Sequence, residues 1–448
     1  LAQSDLELNA IADLSTWRWN DLPGVLTLRA AGDLRINDIL SDGFAGTADL
    51  ALSSANGTSL RCAGAGSCGV RPTALPSLLR GPSWSYRLVA GADLDSASIL
   101  ALTGTADRQR NGAAMGSVTL APGTPSDRNP RTGPTTIPVL RPILNAVRTG
   151  TGSIEIAAGQ DITLANRASV IYTAGEDSQQ GILLGAPGGA GRSTLGQRAY
   201  PEHGGTLTLR AGGSLHGVAP TLDFNLDAAE FPRQLVSSWL VRQGNADGAD
   251  RATGWTVAPE WFEQGIAALA GGDITIDAGG DLVNLSVASA SIGRQVGGTT
   301  AALSEVEETG GGELQIRVGG DVRGGVFYLG KGTAKLAAAG SLVGGRPLSP
   351  GADALLYPVL ALGASAFDIQ ALESVTLSAV VNPTFIAQGP VQKQPINRTR
   401  NSYFVSYSDA SRVGIQAFNG DITLQEGAQL AGGAFENDFS GAVDSLPL

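Results

Sequence analysis

The chain has few of the residues that enzymes and metal proteins most often use for chemistry. Its 448 residues include two cysteines, two histidines and one methionine. Zinc sites usually take four cysteine, histidine or carboxylate ligands, so the shortage of histidine argues against a zinc site. His203 and His216 lie near Gly-rich turns without an obvious serine or cysteine partner. We therefore predict no catalytic residue, no metal site and no cofactor.

Aromatic and charged residues are scarce as well. Aromatics make up 5% of the chain and charged residues 16%, below the usual share of about a quarter for charged residues. A wide globular core uses Phe and Trp as fillers, whereas a narrow tube of small stacked rungs does not need them. No run of about 18 apolar residues occurs, so no transmembrane helix is predicted. The net charge of −11 argues against nucleic acid as a partner and suits a solvated extracellular surface.

Glycine, by contrast, is abundant and recurs in a unit of nine residues. It accounts for 62 of 448 residues, or about 14% against a typical 7%. The first, third and ninth residues of the unit are mostly aliphatic, the fifth is nearly always Ala, and a small residue pair such as Gly-Asp precedes the ninth. The copies are "LTLRAAGDL" (26–34), "YRLVAGADL" (86–94), "IEIAAGQDI" (154–162), "LTLRAGGSL" (207–215), "ITIDAGGDL" (274–282), "LQIRVGGDV" (314–322), "AKLAAAGSL" (334–342) and "FDIQALESV" (367–375).

This unit predicts two short strands on either side of a tight corner. Aliphatic and polar residues alternate with the period of a strand that has one buried face. Gly adopts the backbone angles that a corner needs, and Asp or Ser hydrogen-bonds within the turn. The fifth-position alanines should point into a narrow interior, as at Ala30, Ala158, Ala211 and Ala278. We therefore expect an all-β parallel β-helix of about 15 coils and roughly 70 Å.

The repeats also resemble those of a known protein family. "LTLRAAGDL" and "ITIDAGGDL", with the segments at 83–94, 147–164 and 169–175, are similar to the central region of filamentous haemagglutinin-type exoproteins. The resemblance implies a right-handed β-helical shaft, secreted by a Gram-negative bacterium through an outer-membrane transporter, its partner in two-partner secretion. It also implies display at the cell surface and a shaft without catalytic residues.

We interpret residues 1–448 as one continuous shaft, because the repeat runs through most of the sequence. We expect it to be a fragment of a longer chain, because a solenoid without terminal caps would expose unpaired strand edges. Small helical and loop insertions interrupt it. The insertions are 121–146 (Pro-rich), 176–204 (Gly-rich), 219–263 (aromatic and partly helical) and 388–410 (basic and aromatic).

The insertions are the predicted location of any binding site, because loops on a rigid scaffold carry recognition. Aromatic rings offer stacking area to sugars, and an Arg guanidinium pairs with carboxylates. The alternative is that these rings pack the insertions onto the shaft. The candidate binding residues are Trp255, Trp261, Arg398, Tyr403 and Tyr407.

The two cysteines lie close together, in the segment "RCAGAGSC". Five small residues separate Cys62 from Cys68, and Gly64 and Gly66 make the intervening loop pliable. A single close pair in a long chain suits an oxidising compartment. We predict a disulfide between Cys62 and Cys68, with two unpaired thiols as the alternative.

Acidic residues recur at the corners and in the aromatic insertion. We interpret the aspartates at the corners as turn formers, with a calcium-binding ladder as the alternative. They are Asp33, Asp93, Asp161, Asp273, Asp281, Asp321 and Asp421. A glycosidase would need two carboxylates facing each other across a groove. The spacing of the insertion's acids fixes no shared face; they are Asp223, Asp227, Glu230, Glu260 and Glu263.

Taken together, these features predict a non-catalytic secreted or cell-surface filament, an adhesin or structural shaft that mediates cell–cell or cell–surface attachment. Two alternatives stay open: the stalk of a contact-dependent toxin-delivery exoprotein, and a carbohydrate-acting β-helical enzyme. The expected partners are the outer-membrane transporter, surface glycans or proteins, and other copies of the shaft.

Overall fold

The structure is a computed structural model of the chain. It describes residues 1–45, 62–63, 67–68, 77–104, 116–121, 145–166, 169–178, 200–218, 236–243, 254–257, 259, 262, 265–296, 305–345, 357–383 and 407–425. Within these ranges the protein is an all-β parallel β-helix, in which strands of successive coils pair in parallel around one apolar interior. The predicted fold class is confirmed, while the right-handed sense of the coil stays a prediction.

The elements are numbered in chain order. The first part of the chain contains β1 (Leu6–Leu8), β2 (Ala12–Asp13), β3 (Val25–Ala30), β4 (Leu34–Ile36), β5 (Ile39–Ser41), β6 (Phe44–Ala45), β7 (Cys62–Ala63), β8 (Ser67–Cys68), β9 (Ser77–Leu78), β10 (Ser85–Ala90) and β11 (Val118–Leu120). The middle part contains β12 (Asn145–Thr149), β13 (Ile154–Ala158), β14 (Ile162–Leu164), β15 (Ser169–Thr173), β16 (Glu176–Asp177), β17 (Pro201–Glu202), β18 (Leu207–Ala211), β19 (Leu215–His216), α1 (Val236–Trp239), β20 (Leu240–Gln243), β21 (Gly254–Val257), β22 (Gly265–Ala268), β23 (Ile274–Ala278), β24 (Leu282–Val283), β25 (Val287–Ser289) and β26 (Ser291–Val296). The last part contains β27 (Glu305–Gly310), β28 (Gly312–Val318), β29 (Val322–Arg323), β30 (Val326–Ala338), β31 (Leu342–Val343), β32 (Val359–Ala371), β33 (Val375–Leu377), β34 (Ala379–Val381), β35 (Arg412–Ala417) and β36 (Ile422–Leu424).

Each coil contributes one strand to each of three parallel sheets. Sheet 1 contains β3, β10, β13, β18, β23, β28, the second halves of β30 and β32, and β35. Sheet 2 contains β1, β4, β11, β14, β19, β24, β29, β31, β33 and β36. Sheet 3 contains β2, β5, β12, β15, β22, β25, the first halves of β30 and β32, and β34. Sheets 1 and 3 are continuous because β30 and β32 each run through the corner between them.

The register places equivalent repeat positions on top of one another. Ala158 pairs with Ala211 and Ala211 pairs with Ala278 along sheet 1. These alanines are at most 7% exposed, and Ala30 is fully buried. The inward direction predicted for the fifth position is therefore confirmed, and the narrow interior explains why a small residue recurs there.

Within the described residues, the number of coils is smaller than predicted. The described part of sheet 2 has ten strands that pair directly with one another, which gives a length of about 43 Å at 4.8 Å per strand rather than about 70 Å. The prediction of about 15 coils treats each long interval between repeat copies as several coils. Leu26 and Tyr86 are 60 positions apart, yet they are direct partners in adjacent coils. Each such interval is therefore one coil carrying an insertion.

A second apolar cluster lies on the outer side of sheet 3. An antiparallel sheet in the order β20–β21–β26–β27 accompanies the solenoid, and apolar residues from it join the cluster, including Trp255, Val257 and Ile292. The described elements of the 219–263 insertion are the four-residue helix α1 followed by β20 and β21; the partly helical character of the whole insertion stays a prediction. The Pro-rich insertion also ends earlier than 146, because Asn145 and Ala146 already belong to β12.

Candidate binding surface

The predicted aromatic binding residues divide into buried, exposed and undescribed ones. Trp255 is 5% exposed, and its indole Nε1 donates a hydrogen bond to the Ser291 carbonyl oxygen at 2.8 Å. Its ring is so close to Gly293 that an added Cβ would lie 2.2 Å from it. Trp255 therefore packs within the layer that α1 and the antiparallel sheet β20–β21–β26–β27 form over sheet 3, which we call the outer cover. It offers no surface to a ligand, which corrects its assignment to binding.

Tyr407 is the one member of the predicted set that the described residues place at the surface, with 38% of it exposed. Partial burial raises the pKa of Tyr407 to about 12, so its hydroxyl stays protonated at neutral pH. Trp261, Arg398 and Tyr403 lie outside the described residues. Of the two members that the structure describes, Trp255 is buried and Tyr407 is exposed, and the grouping of the five residues into one site stays a prediction.

The predicted disulfide is compatible with the backbone of its segment. Strands β7 and β8 pair antiparallel, and Cys62 stands directly opposite Cys68. Opposed residues in such a pair have Cα atoms about 4.5–5.5 Å apart, within the range that disulfides span. The bond itself stays a prediction.

The acids of the aromatic insertion, Asp223, Asp227, Glu230, Glu260 and Glu263, all lie outside the described residues. His203 is described, and its Nδ1 lies 3.0 Å from Glu176 Oε1. Glu176 in turn accepts the Gly81 backbone N–H through Oε2 at 2.6 Å. His203 and Glu176 therefore connect the base of the Gly-rich insertion to a neighbouring loop. His216 lies in β19, in register with Val283.

Most corner aspartates form a hydrogen-bonded ladder between sheets 1 and 2. Asp161 Oδ1 accepts the Ser214 N–H at 2.7 Å, and Asp321 Oδ1 accepts the Ser341 N–H at 2.8 Å. The side chains that serve the next coil in this way are Asp5, Asp33, Ser117, Asp161, Ser214, Asp281, Asp321 and Ser374, the last to Asp421. This arrangement supports the interpretation as turn formers over the calcium-binding alternative.

Two of the predicted corner aspartates do not join that ladder. Asp93 Oδ1 accepts the N–H of Asp95 within a loop. Asp273 Oδ1 accepts the Glu313 N–H at 2.8 Å at a different corner, between sheets 3 and 1. Among the described residues, no three His, Cys, Asp or Glu side chains are grouped so that they could hold a metal ion.

Much of the outer side of sheet 1 is a polar surface on which charged side chains of opposite sign pair with one another. Arg87 lies 3.5 Å from Glu155, and Arg210 and Arg317 lie 3.9 and 3.3 Å from the two carboxylate oxygens of Asp277. Exposed pairs of this kind contribute little stability. The surface therefore has the character of a solvated shaft.

A different kind of surface occurs at residues 14–25, which we call the tryptophan hairpin. This loop connects sheet 3 to sheet 1 in the first described coil. Trp17 is 64% exposed, Trp19 is 82% exposed and Leu22 is 61% exposed. Single exposed apolar residues are ordinary, but a cluster of large ones marks an interaction site.

The tip of the hairpin has a defined turn. The backbone N–H groups of Trp19 and Leu22 each donate to the carbonyl oxygen of the other at 3.0 Å. Asn20 and Asp21 between them have φ values of 48° and 61°, as a type I′ hairpin turn requires. Asn and Asp adopt this left-handed region more readily than other residues that carry a side chain. The local sequence therefore specifies the turn that presents Trp19.

A buried ion pair fixes the base of the hairpin. Arg18 donates through Nη2 to both carboxylate oxygens of Asp42 at 2.8 and 2.9 Å, and the Asp42 side chain is fully buried. Arg18 Nη1 also donates to the Leu14 carbonyl oxygen at 2.7 Å. Asp42 accepts the Trp84 backbone N–H at 2.6 Å as well. Bidentate contacts of this type impose a direction on the guanidinium, so residue 18 is anchored while residues 17 and 19 face solvent.

Trp84 supports the hairpin from the side. Its indole Nε1 donates to the Trp17 carbonyl oxygen at 2.7 Å. Its ring lies against Gly24, where an added Cβ would come within 2.8 Å. Gly24 is therefore needed for the close approach of the two segments.

The sequence contains a signal for this site that lies outside the nine-residue repeat. The segment "TWRWNDLPG" contains two of the six tryptophans of the chain. Its Asn-Asp pair and Pro-Gly pair are turn signals. The segment lies just before the first repeat copy, outside the insertions in which binding residues are predicted.

Comparisons of the chain with protein-family models, curated proteins and solved structures find no match. Among the described residues, no helix has the length and apolar character needed to cross a membrane.

Proposed function

We propose that this protein is a non-catalytic secreted or cell-surface β-helical shaft that mediates attachment, with the tryptophan hairpin as a contact element. The observation that supports the proposal is the exposure of Trp17 and Trp19 on a backbone fixed by Arg18, Asp42 and Trp84. A rigid aromatic pair binds with little loss of conformational entropy.

The remainder of the proposal rests on the resemblance to filamentous haemagglutinin-type exoproteins. It comprises a right-handed coil, export through an outer-membrane transporter and display at the bacterial surface. A regular solenoid is suited to this role, because each coil is stabilised by its neighbours and the rod holds a binding element away from its anchor.

The test is attachment of the purified chain to host cells and to bacterial cells. We expect binding that is reduced at least about tenfold by Trp17→Ala together with Trp19→Ala. The matched control is Phe418→Ala, because Phe418 is also 64% exposed but lies at the other end of the described solenoid. Attachment that survives the double substitution would contradict the role of the hairpin, and absence of attachment by the unaltered chain would contradict the proposed function.

A further inference from the structure

We infer that the tryptophan hairpin is a binding site for neutral glycans, in which the indoles of Trp17 and Trp19 stack on the apolar faces of pyranose rings. The inference rests on the proposed attachment function and specifies its ligand. It follows from the shape, the charge and the polar rim of the hairpin.

The shape of the site is open and flat. With Trp17 64% exposed and Trp19 82% exposed, neither ring lies in an enclosed pocket. An aromatic cage for a quaternary ammonium ligand needs rings around the cation, and this arrangement does not supply them. Open indole faces instead suit a ligand that is itself a ring with an apolar face. The two Cα atoms are at most about 7 Å apart, so one short oligosaccharide can contact both rings.

The charge of the site disfavours an anionic ligand. Asp21 is exposed at the tip, and the one cation of the hairpin, Arg18, already pairs with Asp42 through both carboxylate oxygens. Asp13 is engaged locally, accepting the Ser15 backbone N–H at 2.9 Å. Binding to anionic lipids depends on Lys and Arg beside the apolar residues. Around the hairpin, the acidic residues Asp13, Asp21 and Asp42 outnumber the basic ones, which disfavours binding to both an anionic membrane and an acidic polysaccharide.

The polar groups at the tip suit a ligand rich in hydroxyl groups. Asn20 and Asp21 lie between Trp19 and Leu22 in sequence, and both are exposed. The Asn20 amide both donates and accepts hydrogen bonds, whereas the Asp21 carboxylate accepts them. A sugar hydroxyl satisfies either partner. Binding sites for small ligands combine apolar contact area with a few polar groups in this way.

The experiment measures binding of the intact chain to cellohexaose, mannohexaose and chitohexaose, with polygalacturonate and phosphatidylcholine–phosphatidylglycerol vesicles as alternative ligands. We expect at least one neutral oligosaccharide to bind and to shift the tryptophan fluorescence to shorter wavelength. Trp17→Ala and Trp19→Ala should each weaken that binding about tenfold or more, while Phe418→Ala should leave it unchanged. Both substituted side chains are exposed, so the unfolding midpoint should stay the same and serve as the folding control.

Several outcomes would overturn the inference. Binding only to polygalacturonate or only to vesicles would assign the site to a different ligand class, and sugar binding that persists in the double variant would move the site elsewhere. The cell assay separates failure of this inference from failure of the proposed function. Hairpin-dependent attachment that resists periodate oxidation of cell-surface sugars but is lost on protease treatment would identify a protein receptor. The attachment function would then stand without the glycan.

Discussion

The outer sides of sheets 1 and 3 differ sharply, although both sheets line the same interior. Most outward residues of sheet 1 are polar and at least partly exposed, as at Thr208, Thr275 and Gln315, whereas Val89 and Ala157 form a small buried cluster. Outward residues of sheet 3 are buried, as at Tyr172 and Tyr328. The nine-residue repeat forms strands of sheets 1 and 2. Its alternation of apolar and polar residues therefore corresponds to sheets with one side in the interior and the other side in solvent. Sheet 3 has apolar residues on both sides because a second layer covers it.

Aromatic packing between the two layers explains the covered side. Trp239 makes edge-to-face contacts with Phe262 at 5.6 Å and Tyr328 at 5.7 Å between ring centroids. Burial raises the pKa of Tyr328 well above its usual value, and the nearby Glu308 carboxylate adds to the shift. Aromatic residues are rare in the chain, and several of them are concentrated in this cover. The comparison teaches that aliphatic residues and alanine fill most of the tube interior, whereas most of the buried aromatic rings lie on the covered outer side of sheet 3.

The largest expected effect comes from removing an aromatic ring of the cover. Trp239→Ala should lower the free energy of unfolding by about 3–5 kcal/mol, because Trp239 is 1% exposed and the change leaves a cavity. Trp19→Ala, with an 82% exposed ring, should change it by less than about 0.5 kcal/mol. Urea unfolding of both variants measures the difference. Equal losses of unfolding free energy in the two variants would contradict the distinction between the covered and the exposed surfaces.

A smaller effect on stability is expected from replacing Arg148 on the outer side of sheet 3, with Arg317 on the outer side of sheet 1 as its counterpart. Arg148 in β12 is 2% exposed; it donates to Ser41 Oγ at 2.9 Å and to the Tyr172 hydroxyl at 3.2 Å, and it lies 4.1 Å from the Phe44 ring centre. Arg148→Ala should therefore cost about 2–4 kcal/mol. Arg317→Ala removes an exposed ion pair with Asp277 and should cost about 0.5 kcal/mol or less. Thermal unfolding at low and high salt checks both, and a large salt-sensitive loss for Arg317→Ala would contradict the comparison.

A smaller effect than that of Arg148→Ala is expected at the corner ladder, which lies between sheets 1 and 2. Asp321→Ala removes the acceptor of the Ser341 N–H, 2.8 Å away, and should cost about 1–2 kcal/mol. Asp321→Ser should retain most of the stability, because serine fills the same role at Ser214 and Ser374. The denaturant concentration at the unfolding midpoint, measured for both variants, shows whether serine retains the stability that alanine loses. A serine variant as unstable as the alanine variant would mean that the carboxylate charge, and not the hydrogen bond, is what the corner requires.

The repeat was sufficient to predict the fold of the shaft. Alternating Leu26 and Leu28, an inward Ala30 and a Gly-Asp corner are local requirements of one coil, and the structure confirms the strands, the inward alanines and the parallel pairing. The count of coils could not be obtained in the same way. Pairing between Leu26 and Tyr86 depends on which segments leave the tube, and spacing along the chain does not distinguish an insertion from additional coils.

The sequence by itself determined the tube: its all-β class, its inward-facing alanines and its Asp- and Ser-lined corners, because each follows from short-range geometry repeated coil by coil. Only the tertiary structure decided which surfaces face solvent. Trp255 and Trp19 have the same side chain and both lie outside the repeat, yet one is 5% and the other 82% exposed. The difference arises because β21 folds back onto sheet 3, whereas Arg18 and Asp42 hold the hairpin outward. Burial of an insertion depends on contacts between distant segments, and no local pattern in the sequence encodes it.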